Sequence, residues 1–218
     1  MFEGGIREGY ALPESWWLIW VLLACGLAAL RTMNPDCVRQ ARWAWGNFRL
    51  LLQAKGDGGG VTAVDGLHNG LAGVSLALAI SGMWSVANDQ AMDWALFTRL
   101  LALWFVMMAM RWCVGQLLGL TAGSTSLGRE WRLNHRLMME ATAWILAPLG
   151  MVATFKGADI ANVGLTLSAL VWLAGWGVRQ RRAAGLSELY GRNHLMAMFY
   201  ICTLEILPVA VLLRAWQG

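Results

Sequence analysis

Apolar residues in this chain gather in long blocks separated by short charged segments, unlike the narrow apolar stripe of a water-soluble surface helix. Six blocks are candidates to cross the ~30 Å of hydrocarbon in a bilayer: residues 16–30, 64–86, 94–120, 137–155, 161–178 and 194–213. The first is the shortest. Tryptophans mark the block ends, with Trp16, Trp17 and Trp20 at the first, Trp84 and Trp94 around the second connection, and Trp131 and Trp216 near others, as an interfacial aromatic belt requires. Between the first two blocks the period changes. Over residues 38–53, Val38, Ala41, Trp45, Phe48 and Leu52 share a helical face and Arg39, Arg42 and Arg49 lie beside it, which predicts an amphipathic helix lying on the cytoplasmic leaflet. The expected fold is all-α: one polytopic transmembrane helical bundle over residues 1–218, with six spans, this interfacial helix and an extracytoplasmic tail at residues 1–15.

Composition supports lipid as the solvent. Of the 218 residues 58% are hydrophobic and 14% charged, against about a quarter charged in a soluble domain, and the mean hydropathy is +0.50. The charges are placed asymmetrically. One set of connections holds Arg31, Arg39, Arg42, Arg49, Lys55, Arg129, Arg132, Arg136, Arg179, Arg181, Arg182 and Arg192, while the other holds Arg7, Lys156 and Arg214 among Glu3, Glu8, Glu14, Asp89, Asp93 and Asp159. Short basic loops stay cytoplasmic, so both termini are expected outside the cytoplasm. The same asymmetry accounts for the net charge of +4 without a nucleic-acid partner, since no nucleic-acid-binding module is recognisable. Residues 1–16 lack the basic start, short apolar core and cleavage site of a secretory signal, so the first block is expected to remain as an anchor.

Catalytic and cofactor patterns are sparse. The run Gly56-Asp57-Gly58-Gly59-Gly60 lacks the Gly-Lys-Ser/Thr ending of a phosphate-binding loop and reads as a hinge. Cys25, Cys37, Cys113 and Cys202 form no Cys-x-x-Cys pair and read as small apolar side chains. Met107, Met108, Met110, Met138 and Met139 suit packing better than copper ligation. Gly115 and Gly119 make a small-xxx-small contact motif, which speaks of close helix packing and not of substrate. Neither a Gly-x-Ser-x-Gly elbow nor a His-Glu-x-x-His pair is present, and the chain is read as a non-enzyme.

The even-numbered blocks begin alike, with His68-Asn69, Asn134-His135 and Asn193-His194, and the fourth and sixth carry Pro148 and Pro208 at comparable depth. This hints at three helical hairpins in parallel. Imidazoles at matching helix ends could converge on a metal or ligate haem, which makes His68, His135 and His194 the candidates. Helix ends are also ordinary places for His and Asn, so the expectation is no cofactor, with haem the lesser reading.

Charged groups inside hydrocarbon are costly and point to function. Arg99 lies close enough to a block end to snorkel. Glu140 stands one turn after Arg136, which suggests a local ion pair at the cytoplasmic boundary, and Arg111 at similar depth could pair with Glu140 instead and bolt the third span to the fourth; a structural role is expected for both. Glu205 lies eleven residues into the last block, roughly 16 Å along a helix axis. His194 and Glu205 share a face there, and Pro208 leaves the Leu204 carbonyl without its usual partner. With Tyr200 and Thr203, Glu205 and His194 form a candidate intramembrane polar site for a proton, cation or ligand. The bland alternative is a protonated Glu205 hydrogen-bonded between helices.

The run from Phe199 to Pro208, read with Asn193-His194 and the earlier stretch from Asn134 to Pro148, resembles a domain family of small Bacteroidota integral membrane proteins of uncharacterised activity. In that family the last helix reads Tyr-x-Cys-Thr-x-Glu-Ile-x-Pro. The resemblance implies a multi-pass protein of the bacterial inner membrane and carries over no catalytic residue. Three functions are therefore weighed: a non-enzymatic inner-membrane subunit or assembly factor docking other membrane proteins through its basic loops, a small proton-coupled transporter centred on Glu205, and a haem or metal protein using the three histidines.

Overall fold

The computed structural model describes residues 15–33, 37–46, 63–123 and 125–189. These form six helices: α1 (Ser15–Met33), α2 (Cys37–Gly46), α3 (Ala63–Ala87), α4 (Trp94–Ala122), α5 (Thr125–Lys156) and α6 (Ala158–Leu189). Among the described residues there is no strand. Four of the helices, α3 to α6, are long and apolar enough to cross a membrane, so by length and composition the chain is a multi-pass membrane protein. The apolar part of α1, Trp16–Ala29, is shorter. The sixth expected span, 194–213, lies outside the described residues, as does the second half of the expected interfacial helix.

The helix ends follow from local chemistry. Asp93 caps α4, its carboxylate accepting from the Leu96 amide at 2.9 Å, which satisfies one of the orphan donors of the first turn. The same helix stops at Gly123, whose φ of 61° closes a left-handed cap onto the carbonyls of Gly119 and Leu120. A single residue, Gly157 at φ 101°, joins α5 to α6.

Two helices run well past their expected blocks. The span expected at 137–155 begins at Thr125, and the one expected at 161–178 continues to Leu189. Charge ends a hydropathy block without ending a helix, and Arg, Glu, Leu and Ala in these extensions are good helix formers. At 32 residues each, α5 and α6 are roughly 48 Å long, so their arginine-bearing ends reach beyond the hydrocarbon.

Helices α3 and α5 form the centre, each with 67% of its apolar window buried, while α4 and α6 flank them at 28% and 22%. The central crossing is close because Gly150 of α5 sits on Ala79 of α3, where a β-carbon would overlap the Ala79 backbone. Gly128 likewise lies against Gly115 and Gly119, so the expected small-residue motif of α4 is the contact that seats α5. Trp16 and Trp20 of α1 pack with Leu78, Ala79 and Ala147. They are core residues, a correction to their reading as boundary markers; Trp17, at 54% exposure, faces outward. Helix α2 buries Ala44 against Leu137, Met138 and Ala141, with Trp43 and Trp45 alongside, and Arg182 donates to the carbonyls of Ala44 and Trp45 at its last turn, where a cation suits both the open carbonyls and the helix dipole.

Candidate functional site

A line of ionisable side chains crosses the interface between the two central helices. Asp65 and His68 stand one turn apart on α3, and Arg136, Glu140 and Trp144 stand at successive turns of α5, so each set projects from one face. Arg136 Nη2 donates to Asp65 Oδ1 at 3.2 Å. Its Nε lies 3.5 Å from Glu140 Oε1, a charge contact without hydrogen-bond alignment. Glu140 Oε2 lies 3.6 Å from His68 Nδ1. At the far end Trp144 Nε1 donates to His68 Nε2 at 2.8 Å, with the two rings edge to face at 5.2 Å.

That last bond fixes the imidazole. An indole N–H can only donate, so Nε2 of His68 is an acceptor and the ring proton sits on Nδ1, facing the Glu140 carboxylate. Asp65, His68 and Glu140 are 8%, 9% and 3% exposed. The Nδ1–H of His68 points across 3.6 Å to the Glu140 carboxylate, and Nε2, engaged by Trp144, is closed to a second proton while that bond stands.

The set also spans depth. Asp65 is two residues from the start of α3, while Trp144 is twelve residues, roughly 18 Å, from the Lys156 end of α5. The groups thus run from the arginine-rich end of the bundle towards its middle.

Other candidates fare differently. His135 points its Nδ1 at the Trp131 carbonyl at 3.1 Å and stacks on that indole at 4.4 Å. Among the described residues no three His, Cys, Asp or Glu side chains gather as metal ligands would, and both ring nitrogens of His68 face protein groups. Arg111 is buried at 6% exposure. Glu205, Tyr200, Thr203 and His194 lie outside the described residues. Of the basic residues towards the end of α6, Arg179 is 2% exposed, with its guanidinium on Met139 Sδ at 2.7 Å and over Trp172 at 5.6 Å, and Arg182 holds α2; Arg181 is exposed.

Sequence reading placed Arg136 next to Glu140 but missed Asp65, the Trp144 donor and the role of His68 beside them. A signal existed in the spacings, Asp65 to His68 at three residues and Arg136, Glu140, Trp144 at four and four, which put polar groups on one face of each block. Comparison with protein-family models, curated proteins and solved structures found no match.

Proposed function

We propose that this chain is a proton-coupled membrane carrier, non-enzymatic, whose proton is carried by Glu140 beside His68. The observation that carries the reading is the series Trp144, His68, Glu140, Arg136 and Asp65 at 2.8, 3.6, 3.5 and 3.2 Å, with His68, Glu140 and Asp65 buried and Trp144 and Arg136 half-buried. Ionisable groups inside spans mark ion pathways and proton relays.

Each residue has a distinct part. Trp144 holds the tautomer, Glu140 takes up and releases the proton, the His68 Nδ1–H and Arg136 stabilise the Glu140 carboxylate when the proton leaves, and Asp65 orients Arg136. A transporter centred on Glu205 stays a separate proposal, since that residue lies outside the described residues. The test uses the full chain in sealed liposomes with an imposed pH gradient reported by a trapped dye. Solutes are added by class: organic anions, amines, amino acids and sugars. At least one class should dissipate the gradient with the native chain and fail to do so with Glu140→Gln. If none dissipates it faster than protein-free vesicles, the proposal is wrong.

A second reading, an inner-membrane subunit or assembly factor, is favoured by the exposed Arg39 and Arg42 on α2 together with Arg181. Arg179 and Arg182 no longer support it, because both are engaged within the bundle. Charge reversal at Arg42 and Arg181 should then abolish co-purification of a membrane partner, and unchanged recovery would remove this reading.

A further inference from the structure

Helix α2 has two opposite faces. Ala44 is fully buried on α5, against Leu137, Met138 and Ala141, whereas Arg39, Arg42 and Gly46 are exposed. At about 100° per residue these three lie within about 60° of one another and nearly opposite Ala44, so the two arginines face away from the bundle. Trp43 and Trp45, both half-buried, stand on the flanks between the two faces, as indoles do at a membrane boundary. The helix contains no acidic residue, so nothing within it offsets the two positive charges.

The seat of this helix is fixed from two sides. Ala44 anchors it on α5, and Arg182 of α6 donates to the carbonyls of Ala44 and Trp45 in its last turn. The guanidinium of Arg39 lies over the Trp43 ring at 5.0 Å. Stacking engages the flat face of a guanidinium and not the N–H fork that grips phosphate oxygens in pairs.

Depth selects the class of ligand. Leu137 and Ala141 stand 19 and 15 residues before Lys156, roughly 28 and 22 Å along the axis of α5. Counted from the Lys156 end, α2 therefore sits at the far edge of the ~30 Å of hydrocarbon, where the layer beyond its outward face is that of lipid headgroups. We infer that Arg39 and Arg42 bind the phosphate of an anionic phospholipid headgroup, with Arg181, exposed beside Arg182, adding to the attraction. A zwitterionic headgroup brings its own cation up to the arginines, whereas an anionic one does not, so net negative lipid is selected. The same arginines serve the second reading above, but a protein interface needs an apolar centre, and among the described side chains of α2 no large apolar group is exposed. The site does not depend on the proton reading.

The test is native mass spectrometry of the full chain in detergent, titrated with phosphatidylglycerol and with phosphatidylcholine of the same acyl chains. The native chain should retain phosphatidylglycerol in preference. Arg42→Gln should weaken that retention about fivefold, and Arg39→Gln combined with it about 25-fold, as the share of each basic residue in surface attraction requires. Lys156→Gln, an exposed cation at the opposite end of α5, should leave it unchanged. Thermal melts report folding, and Arg42→Gln alone keeps the proposal testable if loss of the Arg39 stack on Trp43 loosens α2. Equal retention of the two lipids by the native chain, a loss of the same size in Lys156→Gln, or release of a co-purified protein by Arg42→Gln with phosphatidylglycerol retention unchanged would each overturn it, the last giving this face to a protein partner.

Discussion

The contact between Asp65 and Arg136 offers a measurement of how much the buried charges hold α3 against α5. Asp65→Asn and Arg136→Gln remove one charge each while keeping polar volume, and the two together complete a double-mutant cycle. At the 3.2 Å separation, the gross attraction at an effective dielectric of 20 is about 5 kcal/mol. Desolvation of both ions takes back much of it. The side chains are 10% and 14% exposed, so the pair should exceed the ~0.2–1 kcal/mol of exposed pairs, and a coupling of about 2 kcal/mol is expected. Unfolding in mixed micelles of increasing SDS fraction, followed by tryptophan fluorescence, gives the four free energies. A coupling below about 0.5 kcal/mol would refute the reasoning, because it would mean that solvent screens the pair as it does on a surface.

Three further outcomes follow from the geometry. Trp144→Phe keeps an aromatic wall but deletes the donor to His68, so it should lower stability by about 1 kcal/mol and release the fixed tautomer, which nitrogen NMR of labelled histidine reads directly. Gly150→Ala places a methyl group against the Ala79 backbone and should destabilise the central crossing by about 1–3 kcal/mol in the same SDS titration, and an unchanged transition would deny that the two helices touch there. Arg182→Gln leaves the Ala44 and Trp45 carbonyls without their cation, at a cost of about 1 kcal/mol, and limited proteolysis should then cut α2 faster than in the native chain.

How much of this the sequence carried depends on the range of the force involved. Local signals sufficed for the helices: hydropathy located α3 and α4 to within about two residues at most ends, an error typical of such boundaries. The same signal truncated α5 and α6, because it measures transfer into lipid and stops at Arg136 and Val178, where the backbone does not. The Arg136–Glu140 spacing within one helix was legible. Its continuation to Asp65 and His68 was not, since residues 71 and 76 positions apart meet only through the packing of Gly150 on Ala79. Arg179 shows the reverse case, where counting charges assigned a loop arginine to solvent and a neighbouring Trp172 and Met139 gave it a buried seat.

Proton uptake by Glu140 beside His68 is the step on which the functional account stands, and infrared difference spectroscopy of the full chain between acidic and alkaline buffer tests it most directly. The native chain should show a protonated-carboxyl band that Glu140→Gln removes, with a titration midpoint that moves in His68→Gln, because the carboxylate loses the Nδ1–H facing it. A Glu140 band that titrates identically with and without His68 would contradict the account.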